Sequence, residues 1–240
     1  HRDLHKEYRR QRQMCIRDSK VLCRVRVNKA KHMGTLTKPC LTLLTDSTRY
    51  GEINLDLIDR VINSGVDMLQ LREPSLTEHS VIEIGNLIAE ITKNRALLIF
   101  NGNPNIATKI NADGVQLPEK KIDMIASDIP KGLLIGRSIH SKNAAIQSDK
   151  AGTDFFIAGT IFPTASHPDI KTLGVNLITD ICKVSEKPVL GIGGIDASNA
   201  ESVIRAGADG VAVISSIWGS NNPKGATKSL KQKLQLNKDQ

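Results

Sequence analysis

The sequence predicts an α/β protein built as a single (β/α)8 TIM barrel. From Pro39 onward eight short apolar runs alternate with helical patterns, and no linker or shift of composition interrupts them. The last two runs break into glycine or serine, as PVLGIGGI (188–195) and GADGVAVISS (207–216). Apolar runs bounded by turn residues read as buried parallel strands. Two strand–turn–helix units at the end of such a chain offer backbone N–H groups to a phosphate beyond strands 7 and 8. Gly191, Gly193 and Gly194 let the backbone approach an anion and take positive φ where needed, although tight turns used only for packing would look the same. A doubly wound open sheet is the alternative fold, and it leaves the paired terminal turns unexplained.

Strands are expected at 40–45, 68–71, 96–100, 114–116, 133–135, 155–158, 188–190 and 210–214. Helical patterns fall between them at 55–64, 80–93, 103–110, weakly at 122–129, then at 142–151, 175–184, 199–206 and 223–236. Three helices run into NSGVD (63–67), AGTD (151–154) and AGADG (206–210), where a glycine ends the helix in the left-handed region just before the next strand. The barrel is therefore expected over residues 39–236.

Charge is unevenly placed. Residues 1–32 hold 11 Lys and Arg against three acids, whereas the other 208 residues carry 22 of each sign. The net charge of +8 belongs to this leader, and the body gives no reason to expect nucleic acid. The leader lacks the apolar core of a secretory signal. It reads either as a transit peptide or as non-native sequence. The second reading is favoured because MCIRDS (14–19) resembles translated adapter sequence, with Met33 as the expected start. Cys15, Cys23, Cys40 and Cys182 show no metal-like spacing and read as reduced thiols of a cytoplasmic protein. No run is long and apolar enough to suggest a membrane span.

Function in a barrel sits at the C-terminal ends of its strands. After strand 2, alternation sends Gln70 and Arg72 to one side and Leu71 to the other. Arg72 beside Glu73 is either an anion clamp or a structural ion pair. Asn101 follows strand 3 and could meet a ligand, but capping the next helix is the safer reading. The cluster Gly136-Arg137-Ser138-Ile139-His140-Ser141 follows strand 5, with Ser141 as N-cap and His140 as a candidate acid/base. After strand 6 the segment 159–168, with Thr160, Thr164, Ser166 and His167, suits a loop over the barrel mouth. His167 there is as readily solvated as catalytic.

These residues resemble the thiamine phosphate synthase/TenI superfamily. The resemblance rests on QLRE (70–73), ADGVQL (112–117), IGRSIHS (135–141), GTIFPTASHPDIKTLGV (159–175), GIGGI (191–195) and ADGVAVISSIW (208–218). It implies a TIM barrel that binds thiazole phosphate, with Gly193, Gly194, Ile214 and Ser215 matching the phosphate motif. The synthase couples a pyrimidine diphosphate to that ligand with release of diphosphate, using Mg²⁺ on carboxylates. Here the carboxylate after Asn101 is replaced by Gly102, and the second falls about at Lys121. The lysine after QLRE is Pro74, and Ser166-His167 replaces a Thr-Lys pair. The TenI branch, similar to a thiazole tautomerase, shares the Asn-Gly pair, VQLP (115–118) and the GRSxHS block, but its strand-6 histidine is Thr160 here. QLREPSL (70–76), PTASHPD (163–169) and Trp218 also resemble the synthase-like domain appended to some MutT-type Nudix hydrolases.

The resulting expectation is thiazole-phosphate binding with metal-independent tautomerase or salvage chemistry on His140 or His167, aided by Arg72. Gln70, Asn101, Arg137, Ser138, Thr160, Thr164 and Ser166 are expected at the substrate. The alternatives are the coupling synthase and a non-catalytic binding domain. No cofactor or metal is expected, Mg²⁺ entering only if synthase activity is retained. Thiazole phosphate is the expected partner, with no nucleic acid and no membrane. A homo-oligomer and a missing upstream Nudix domain are left open.

Overall fold

The computed structural model describes residues 36–164 and 171–235. The basic leader, Cys15, Cys23, Ser166 and His167 lie outside them. Eight strands close into one parallel barrel in chain order: β1 (Cys40–Leu44), β2 (Met68–Leu71), β3 (Leu97–Asn101), β4 (Gly114–Leu117), β5 (Leu134–Ile139), β6 (Phe155–Gly159), β7 (Val189–Ile192) and β8 (Gly210–Val213). β8 pairs with β1, Cys40 opposite Gly210 through Leu43 opposite Val213. The α/β barrel expected from the alternating pattern is the fold observed.

Strand alternation divides the core in two. Leu41, Leu43, Leu69, Leu71, Leu98 and Phe100 point outward into the helix layer. Cys40, Leu44, Met68, Leu97, Ile99, Phe155, Ile157, Leu190 and Ala212 fill the lumen. Burial pushes the Cys40 thiol up to about 12, so it stays protonated and inert there.

Nine helices surround the sheet among the described residues: α1 (Ser47–Tyr50), α2 (Leu55–Ile62), α3 (Glu78–Thr92), α4 (Pro104–Lys109), α5 (Lys142–Lys150), α6 (Asn176–Cys182), α7 (Ala200–Arg205), α8 (Ser215–Trp218) and α9 (Pro223–Gln235). Asn54, Thr77, Asn103 and Ser141 cap four of them by accepting from main-chain N–H groups. Gly65, Gly152 and Gly207 carry the expected positive φ. The short α1 and α8 leave no usable periodicity in four residues, and both follow directly on strand ends. The weak helix expected at 122–129 is absent. In its place stand two 3-10 turns, Glu119–Lys121 and Ala126–Asp128, because the carbonyls of Lys121 and Met124 are engaged by Arg137. No helix among the described residues is long and apolar enough to cross a membrane.

One device recurs at the N-terminal rim. An aspartate precedes each even-numbered strand, and its carboxylate accepts from an N–H of the strand before it. Asp67 holds Leu41, Asp113 holds Leu98, Asp154 holds Ile135 and Asp209 holds Val189, at 2.8 to 3.0 Å. Each aspartate's own N–H donates back to the same strand, to the carbonyls of Leu41, Leu98, Ile135 and Val189. Asp67 is further engaged by Lys231 of α9, which also donates to the carbonyl of Pro39.

Removing one carboxylate leaves a strand N–H without its partner, a loss of about 1–3 kcal/mol where the group is shielded from water. Asp154→Ala is therefore expected to lower the urea midpoint by an amount in that range, and Asp154→Asn, which keeps an acceptor, by less. An unchanged midpoint in Asp154→Ala would show that the contact does not hold the rim.

Candidate functional site

The C-terminal mouth of the barrel holds a cavity of about 340 Å³. Its floor is set by strand parity. Gln70 and Arg72 project inward from the end of β2, Asn101 from β3, Gln116 from β4 and Ser138 from β5, while Leu71 and Phe100 face the helices. Asn101 Nδ2 donates to Gln70 Oε1 at 3.0 Å, and Gln116 Nε2 donates to Ser138 Oγ at 3.0 Å. Four neighbouring strands thus present two amide-centred pairs above an apolar lumen.

This floor is incompletely satisfied. Gln70 Nε2 and Gln116 Oε1 are buried and find no partner among the described residues. Both side chains are almost fully enclosed, Gln70 at 1% and Gln116 at 0% exposure. A buried donor or acceptor left unmade costs roughly 1–3 kcal/mol. Of the two, only Gln70 lines the cavity, and an orphaned donor there suits a ligand that carries a ring nitrogen, whereas Gln116 Oε1 packs against Gly136.

The phosphate-type turns lie across the mouth. Gly193 and Gly194 have φ of +104° and +60°. A Cβ on Gly193 would come within 2.4 Å of Thr160 Cγ2, and one on Gly194 within 2.2 Å of the Pro163 carbonyl. Only glycine fits this approach of the β7 turn to the segment after β6. Among the described residues no acceptor meets the N–H groups of Gly193, Gly194 or Ser215. Ile214 and Ser215 complete this wall. Trp218 Nε1 donates to the Leu44 carbonyl at 2.7 Å, which ties α8, and with it the β8 turn, to the top of β1.

Arg72 and His140 stand on the rest of the rim. Thr45 Oγ1 accepts from the Arg72 N–H at 3.0 Å, which fixes the end of β2. The expected Arg72–Glu73 pair does not form. Glu73 turns to α1 and accepts from the N–H and hydroxyl of Ser47, and among the described residues Arg72 makes no ion pair. His140 does find a carboxylate: Nδ1 lies 2.7 Å from Glu119 Oε2, and its main-chain N–H donates to the same oxygen at 2.8 Å.

Most expected site residues meet at this cavity. Gln70, Arg72, Asn101, Ser138 and His140 line it with Thr160, Thr164, Gly193, Gly194, Ile214 and Ser215. Asn101 does not cap a helix, because Asn103 does that by accepting from Asn105. Arg137 is the exception and must be withdrawn from the substrate set. Strand β5 runs on to Ile139, so alternation turns Arg137 outward between the inward Gly136 and Ser138. Its fully buried guanidinium donates to the carbonyls of Lys121 and Met124 and to Thr153 Oγ1. Burial lowers its pKa from the ordinary value, with nearby Asp123 acting in the opposite sense.

Asp46, Gln116 and Glu119 are the residues that sequence reasoning passed over. Asp46 ends the β1 loop, where its carboxylate caps α1 by accepting from Arg49, and it also lines the cavity. Gln116 was readable from the parity of GVQL (114–117). Glu119 had no local signal, because its partner lies 21 residues away.

Comparison with known proteins places this geometry in context. A family model described as thiamine monophosphate synthase matches residues 41–217. The chain is 32% identical over 202 residues to a thiamine-phosphate synthase of Pyrococcus abyssi, covering 83% of this chain and 97% of that one. It is 34% identical over 193 residues to a thiamine-phosphate synthase of Roseiflexus castenholzii, covering 78% and 85%. A solved thiamine phosphate pyrophosphorylase from Pyrococcus furiosus superposes with a TM-score of 0.71 at 28% identity, covering 81% and 95%.

Arg137→Met tests the outward assignment. It leaves two carbonyls without their donor and is expected to cost about 2–4 kcal/mol of stability, read as a lower urea midpoint. Binding at the mouth should be unchanged in the fraction that remains folded. Loss of ligand affinity without loss of stability would return Arg137 to the site.

Proposed function

The chain belongs to the thiamine monophosphate synthase family, and from that premise we propose that it joins a pyrimidine diphosphate to thiazole phosphate, forming thiamine phosphate and releasing diphosphate. The observation that supports this most is that one cavity carries two separate groups suited to anions around a polar floor. The open amides of Gly193, Gly194 and Ser215 line it beside β7 and β8, and Arg72 lines it from β2. A coupling of two phosphorylated substrates needs both groups at once. An isomerisation of one phosphate monoester needs only the first.

The bond changes are simple. The thiazole nitrogen directs its lone pair at the pyrimidine's methylene carbon, the carbon–oxygen bond to diphosphate breaks, and the leaving oxygen takes that electron pair. The nitrogen becomes the charged centre of a thiazolium. No proton needs to be abstracted, so the chain's tasks are alignment and stabilisation of the leaving charge. The β7 and β8 turns hold the monoester, and the Gln70–Asn101 and Gln116–Ser138 pairs orient ring edges. Arg72 faces the departing anion.

The relatives carry the name of the coupling enzyme, which supports coupling over the isomerisation expected from the sequence. The strand-6 histidine of the tautomerase branch is also replaced here by Thr160, whose hydroxyl is no base near neutral pH.

The Mg²⁺ that the family resemblance implies does not fit the residues present. A Cβ at Gly102 would lie 2.7 Å from Phe100 Cε1, so the Phe100 ring occupies the space of a side chain there. Among the described residues no group of three or more His, Cys, Asp or Glu could hold a metal ion. Hard cations need several oxygen ligands, and the described residues supply no such set.

Incubation of the protein with both substrates, with Mg²⁺ supplied in one series and EDTA in another, is expected to yield thiamine phosphate by chromatography. Gly194→Ala is expected to raise KM for thiazole phosphate about tenfold, equivalent to roughly 1.4 kcal/mol, because its Cβ meets the Pro163 carbonyl. Formation of an isomerised thiazole alone, or tight thiazole-phosphate binding with no product, would overturn the coupling reading.

A further inference from the structure

The structure leaves unexplained how this chain meets a diphosphate without the carboxylates for a divalent ion. One group of residues outside the floor and the phosphate turns faces the same cavity. His140 lies at its rim and also lines an adjoining groove with Pro118, Glu119, Lys120 and Ser141. Its orientation is doubly determined. The Glu119 carboxylate oxygen that binds Nδ1 also accepts the His140 main-chain N–H, so ring and backbone are fastened to one atom. Glu119 is itself held in the 3-10 turn that follows β4. Nε2 remains the ring's free polar atom, with no partner among the described residues.

A carboxylate on one ring nitrogen fixes the proton there and leaves the other nitrogen for a ligand. The protonated ring carries an N–H on each nitrogen, with Nδ1–H toward Glu119. Nε2–H is then a charge-assisted donor to an oxyanion. Lys120 adds positive charge in the adjoining groove, and Arg72 lines the same cavity as His140. Asp46, which faces the same cavity, is a lone carboxylate already engaged with the N–H of Arg49.

We propose that His140, positioned by Glu119, is the diphosphate subsite of this chain and, with Arg72, replaces the carboxylate-held divalent cation. The proposal rests on the coupling reading above, since only a second, diphosphorylated substrate requires this part of the cavity. His140 touches the leaving group. Glu119 acts through it and is a positioning residue. Neither forms a covalent bond with the substrate.

The test is calorimetric titration of inorganic diphosphate in EDTA into the full chain and into Glu119→Gln, His140→Asn and the double variant. Wild-type protein is expected to bind without Mg²⁺. His140→Asn should weaken binding at least about tenfold and Glu119→Gln several-fold, and the double variant should be no weaker than His140→Asn alone because the two act as one unit. Thiazole-phosphate affinity, set at the β7 and β8 turns, should stay at the wild-type value in all three. Diphosphate binding that requires Mg²⁺, single variants that bind like wild type, or an equal fall in thiazole-phosphate affinity would each overturn the proposal. The two readings fail separately. Mg²⁺-dependent diphosphate binding with thiamine phosphate still formed sinks the subsite alone. Metal-free diphosphate binding with no thiamine phosphate formed sinks the coupling reading and leaves the subsite.

Discussion

The carboxylate contact that Asp67, Asp113, Asp154 and Asp209 each make with the neighbouring strand is the constraint on which the site depends. A parallel ladder can slip by two residues without moving any side chain to the wrong face. Apolar alternation alone therefore does not fix how far one strand sits above the next. A carboxylate that binds one particular N–H does. With the rim fixed at four places, the far ends of β2 to β5 reach one height, and Gln70 can meet Asn101 while Gln116 meets Ser138.

The mouth is built with the opposite economy. The rim aspartates pair with strand N–H groups, and the C-terminal floor leaves Gln70 Nε2 and Gln116 Oε1 without a partner among the described residues, over an apolar lumen. Such atoms oppose folding and favour binding. The three open amides beside the β7 and β8 turns follow the same logic in the backbone. The stability that these orphans remove is supplied by the helix layer and by contacts at the mouth itself, such as that of Trp218 with the Leu44 carbonyl.

Much of this was legible in the chain. Strand count, the inward parity of Gln70 and Arg72 and the glycine turns at 193 and 194 depend on local pattern, and local pattern is what a sequence displays. The failures have one physical origin. Arg137 was misread because β5 extends four residues past its expected end, and in a strand one residue decides inside from outside. The same arginine then takes the carbonyls that a helix at 122–129 would have used, so one long-range contact erased a local propensity. Glu73 and Glu119 exchange expectations in the same way. The acid adjacent to Arg72 in sequence serves Ser47 of α1, and an acid 21 residues from His140 serves the histidine. The rim aspartates stand within GVD, ADG, GTD and ADG, where nothing local separates an aspartate that binds a neighbouring strand from one that only caps a turn.

The four aspartates also divide the barrel into quarters, each an odd strand fastened to the even strand that follows it. At three of the four joints between quarters an aspartate carbonyl accepts the first N–H of the next odd strand: Asp67 from Leu97, Asp113 from Leu134 and Asp209 from Cys40. At the fourth joint the equivalent position is Pro188, which has no N–H to give. That joint relies on Phe156 donating to the Pro188 carbonyl instead. The closure between the last strand and the first is therefore as well bonded as an internal seam, and the β6–β7 joint lacks one rim bond that the other three carry. It runs directly beneath the segment after β6 and the Gly193–Gly194 turn. There Ile161 and Phe162 donate to the carbonyls of Ile192 and Gly193, so the bond missing at the N-terminal rim is offset at the mouth, and this joint is held from the side of the glycine turn.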